Sequence, residues 1–68
     1  MDKYVIVKYN SYGIPLYLHA YDKNTRERMY AVSSANALLF FSKRNAELVK
    51  ELMVSYGDLA ASVELFKG

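Results

Sequence analysis

One stretch of this 68-residue chain carries a clear helical hydrophobic period. Ala46, Val49, Leu52, Met53 and Tyr56 recur at i, i+3 and i+4 and form a single stripe, with Lys43, Glu47, Lys50 and Glu51 on the other side. Ser42 is a good N-cap, Gly57 stands where a C′ glycine would end the helix, and Lys43 and Glu47 have the spacing of an i, i+4 ion pair. The spacing therefore predicts one principal helix over about 43–56. Most of the remaining order is strand-like. A lone amphipathic helix shields one face of a small sheet, so the opposite face must meet water or a partner.

The strand segments come first in the chain. Residues 3–9 are β-branched and aromatic, with Val5, Val7 and Tyr9 on one face and Tyr4, Ile6 and Lys8 on the other. Asn10, Ser11 and Gly13 supply turn chemistry, and Pro15 stands at the start of the next strand, where its missing N–H does least harm. Residues 16–21 alternate. Leu16, Leu18 and Ala20 form an aliphatic side, assigned to the core, and Tyr17, His19 and Tyr21 form the outer side. A polar hairpin loop at 22–26 leads to a third strand at Met29–Val32. Residues 33–41 predict a short turn capped by Ser33 or Ser34, ending extended at Phe40 and Phe41, an apolar run that either fills the core or forms an exposed dimer patch. Ser62 to Lys67 closes the pattern as a strand, Val63 and Leu65 inward, Glu64 and Phe66 outward. The whole of 1–68 reads as a single small α+β domain, three to four mainly antiparallel strands with one helix on one face.

Bulk properties narrow the function classes. The chain has no Cys and one His, so a disulfide or thiolate site is excluded and a metal site would need carboxylate help that the scattered acids do not offer. At this length a stable core needs good packing or a second subunit, which makes a homodimer an open expectation. A net charge of +2 with interspersed signs is weak for a dedicated nucleic-acid binder. No apolar run approaches a membrane span and no signal-peptide pattern is evident, so no membrane association and a cytoplasmic location in the host cell are expected. No catalytic residues are assigned. His19 lacks an evident acid partner apart from nearby Asp22, the carboxylates are scattered singly, and the three glycines are isolated rather than grouped in a phosphate loop. No cofactor is called for.

Six of the seven tyrosines fall in the first thirty residues, and they form the one constellation. Tyr17, His19 and Tyr21 are expected on one face, Tyr30 on an adjacent strand, and Arg26 and Arg28 beside them. Tyr and Arg bury much area with few rotors and keep a polar handle, which suits a protein interface. Aromatics flanked by cations also suit single-stranded nucleic acid. Tyrosine is, equally, an ordinary strand former. The candidate partner-binding set is Tyr17, His19, Tyr21, Arg26, Arg28 and Tyr30.

The order of segments resembles that of small phage and prophage accessory proteins. Their opening strand is like Tyr4-Val5-Ile6-Val7-Lys8, followed by a Gly turn and a strand like Leu16-Tyr17-Leu18. An apolar segment like Ala37-Leu38-Leu39-Phe40-Phe41 then meets a Ser42-capped helix containing Ala46, and a strand like Val63-Glu64-Leu65 closes the chain. Such proteins commonly carry a Trp in the middle segment; this chain has none, with Tyr30 as a weak stand-in. The resemblance implies a phage-encoded, non-enzymatic accessory protein that binds a host or phage protein, its sharpest form an inhibitor of a host defence system such as CRISPR. The alternative is a small nucleic-acid-binding module using the aromatic sheet face.

Overall fold

Three consecutive β-branched residues, Val5, Ile6 and Val7, are buried, and a strand buried on both faces belongs in the middle of a sheet. In the computed structural model, which describes residues 1–67, that strand is β1 (Tyr4–Tyr9). It pairs antiparallel with β2 (Pro15–Tyr21) on one side and β4 (Ser62–Leu65) on the other. The third strand, β3 (Arg28–Ala31), adds outside β2 and gives the order β3-β2-β1-β4. The chain is thus a small α+β fold, a four-stranded antiparallel sheet with one main helix. The Asn10 carboxamide shapes the first turn by accepting the N–H groups of Tyr12 and Ile14, and Gly13 takes a φ of +80° that other residues resist.

The helix, α1 (Lys43–Ser55), starts where Ser42 accepts the N–H of Asn45, and it lies over β1 and β4. Its expected stripe faces inward. Ala46 and Met53 are fully buried, and Val49, Leu52 and Tyr56 pack around a core of Ile6, Leu18, Met53 and Ala61. The expected Lys43–Glu47 pair does not form; Glu47 instead lies 3.6 Å from Lys50, which also holds Glu51 at 3.0 Å.

The 33–41 segment resolves as a Ser33-capped 3-10 turn, Ser34–Asn36, followed by an extended wedge. The Leu38 N–H donates to the Leu18 carbonyl at 2.8 Å, and Phe40 exchanges backbone hydrogen bonds with Tyr4 at 2.7 and 2.9 Å. Phe40 packs on the core while Phe41 is 62% exposed.

The expected placements of Ala20, Tyr21 and Leu65 are corrected. The β2–β3 register steps from Leu18↔Tyr30 to Ala20↔Met29, which leaves His19 as the extra residue of a bulge. A bulge shifts the alternation by one. Leu18 and Tyr21 therefore both reach the helix side, where Tyr21 packs against the core, and Ala20 is exposed. Leu65, expected inside, lies on the edge strand and is 47% exposed. No helix among the described residues is long and apolar enough to cross a membrane.

Candidate binding surface

The sheet face away from the helix follows from the register. Val7 stands opposite Tyr17 and Ser62, Val5 opposite Glu64, and Tyr17 opposite Ala31, so these side chains share one face with Tyr9. The Tyr9 hydroxyl donates to Glu64 Oε2 at 2.8 Å, although Tyr9 lies four positions along β1 from the residue that Glu64 faces. With a rise of about 3.3 Å per residue, the two side chains can meet only by bending toward each other above Val7. Val7, with Tyr17 and Ser62 as its cross-strand neighbours, has no exposure although it lies on the face opposite the main helix. The hydrogen bond to Glu64 is the main reason that the Tyr9 hydroxyl has a raised pKa. Further along, Val5 lies in a groove of about 400 Å³ with Tyr17, Ser34, Glu64, Phe66 and Lys67 around it.

On the helix side, the polar chemistry converges on Asp58. A Schellman end to the helix aims this residue: the Gly57 N–H donates to Val54 and the Asp58 N–H to Met53, each at 3.0 Å, with Gly57 at φ +112°. The carboxylate receives Arg28 Nε at 2.8 Å and Nη2 at 3.1 Å, the Tyr30 hydroxyl at 2.8 Å and Lys8 Nζ at 3.2 Å. Arg28 also donates to the carbonyls of Tyr56 and Arg26, and the Lys8 ammonium lies 4.0 Å from the Tyr30 ring centroid. Every buried polar side-chain atom among the described residues has a partner. The cluster ties β1, β3 and the end of the helix together.

The six residues singled out from the sequence therefore do not form one surface. Tyr17 lies on the uncovered face. His19 is exposed at the bulge, its Nδ1 2.6 Å from the Asn36 carbonyl, a bond that requires Nδ1 to carry the proton. Tyr21 packs toward the core, and Arg28 and Tyr30 are bound to Asp58. Arg26 is exposed in the hairpin loop at φ +63°, its guanidinium 5.8 Å from the Tyr56 ring centroid. In place of that set, the structure gathers Tyr9, Tyr17, Glu64 and Phe66 on the uncovered side. Alternation had put Glu64 and Phe66 outward, but without the strand order nothing linked them to Val5 and Tyr17.

No group of three His, Cys, Asp or Glu residues suited to a metal occurs among the described residues. No protein-family model, curated protein or solved structure matches the chain.

Proposed function

We propose that the chain is a non-catalytic binding module that docks on a protein partner through the uncovered face of its sheet. One observation carries this: aromatic residues, Tyr9 and Tyr17 with Phe66 beyond them, share with Val5 and Val7 the face opposite the main helix. Rigid rings above a tightly packed apolar floor are the composition of an interface hot spot. The resemblance to phage accessory proteins directs the proposal to a stoichiometric partner in the host cell, an inhibited defence complex such as CRISPR being its most specific form. A second copy of the chain is the other protein that this face could meet.

Nucleic acid is less well supported as the occupant. Stacking surfaces for single strands place cations beside the rings. Here Arg28 and Lys8 are held on the helix side by Asp58, and among the described residues Lys67 is the one cation that lines the groove beside Tyr17 and Phe66.

Affinity capture from host-cell lysate tests the proposal, with the parent chain compared against Tyr17→Ser. The expected result is a stoichiometric protein, or a self-associated mass in solution, that is lost in Tyr17→Ser while thermal unfolding stays cooperative. Capture unaffected by Tyr17→Ser, or binding to oligonucleotides that weakens steeply with salt and needs Tyr17, would overturn it.

A further inference from the structure

We infer that the groove above Val5 is a pocket for an arginine side chain of the docked partner, an assignment that rests on the protein-docking proposal and specifies its chemistry. The groove measures about 400 Å³, within the range of side-chain and small-ligand sites. Its floor is Val5, its aromatic members are Tyr17 and Phe66, and its acid is Glu64. Glu64 is half-buried and makes no ion pair among the described residues. Among the described residues its one side-chain hydrogen bond is the Tyr9 hydroxyl on Oε2, and Oε1 takes no donor from them.

That combination selects a cation. A partner closing over the groove removes water from an acid without a counter-ion, which is costly for an apolar or anionic occupant and favourable for a charged donor. Arginine fits better than lysine. Its planar guanidinium stacks on aromatic rings, donates through a fork to a carboxylate, and gives up hydration more readily than an ammonium. Its methylene stem would lie along Val5. Lys67 lines the same groove without pairing with Glu64, so it is the competing positive charge.

The test is an NMR titration of the full chain with N-acetyl-arginine amide, with the uncharged isostere N-acetyl-citrulline amide as control. Saturable shifts are expected at Val5, Tyr17, Glu64 and Phe66, with affinity in the millimolar range for one side chain. The citrulline compound should bind at least tenfold more weakly. Glu64→Gln keeps an acceptor for Tyr9 and should weaken arginine binding at least tenfold, whereas Lys67→Gln should strengthen it. Equal binding of both compounds, no saturable shift at those residues, or unchanged binding in Glu64→Gln would overturn the assignment. An arginine-binding groove on a chain that captures no protein would remove the docking proposal and leave the pocket. Tyr17-dependent capture with no arginine response would remove the pocket and leave the docking proposal.

Discussion

Asp58 is 8% exposed and accepts hydrogen bonds from three side chains that belong to two strands. Burial alone would push its carboxyl up. The hydrogen bonds from Arg28, Tyr30 and Lys8 outweigh that and hold it at about 2, below the ordinary 3.8. A depressed carboxyl stabilises the folded state fully above its unfolded pKa and loses that contribution as the pH falls through the folded value. Stability should therefore decline from 3.8 down through about 2, with about 2 kcal/mol at stake. Urea titrations across that range should show the slope in the parent chain and a flatter acid limb in Asp58→Asn. At neutral pH that substitution leaves two cations facing a neutral amide, and it should cost about 3 kcal/mol. The Tyr30 hydroxyl is pushed in the other direction, first by burial and then by its bond to Asp58, so it stays a neutral donor through the accessible range.

Two local devices decide where elements end and which way they face. Gly57 at φ +112° closes the helix and delivers Asp58 to its partners. A Cβ there would meet only Arg28 Nη2, at 3.9 Å, an ordinary contact. The cost of Gly57→Ala is then backbone strain, about 1–2 kcal/mol by chemical denaturation, rather than a clash. Its C′ position was legible in the sequence because a helical stripe followed by glycine is a local signal. The His19 bulge was not legible. Alternation from Leu16 to Tyr21 continues unbroken in the sequence, and what favours the extra residue is non-local: a Met29 partner for Ala20 and the Asn36 carbonyl for His19. The same error reversed Tyr21. Tyr21→Ser should consequently destabilise the fold by about 2 kcal/mol, since it removes a ring packed on the core, and Tyr17→Ser should cost less. Equal effects in thermal unfolding would restore the unbroken alternation.

At the scale of the molecule, a single helix over β1 and β4 buries one side of a four-stranded sheet and leaves the other to the sheet's own side chains and the Ser34–Asn36 turn beside β2. That much was readable from one helical period and several alternating segments. Which rings occupy the open side was not, because strand order and register bring Glu64 and Phe66 from the end of the chain beside Val5 and Tyr17 near its start. Of the two arginines expected beside the tyrosines, Arg28 went instead to Asp58, 30 residues away, where Lys8 joins it across 50, and no local pattern encodes either contact. The open side is where the account places the partner, and Leu48 and Leu59, exposed at 59% and 79%, serve as references away from it. Hydroxyl-radical footprinting of the captured complex against the free protein reads side-chain exposure directly. Protection is expected at Tyr9, Tyr17 and Phe66, with Leu48 and Leu59 as reactive as before. Protection at Leu48 with Tyr17 unchanged would place the partner on the helix and contradict the account.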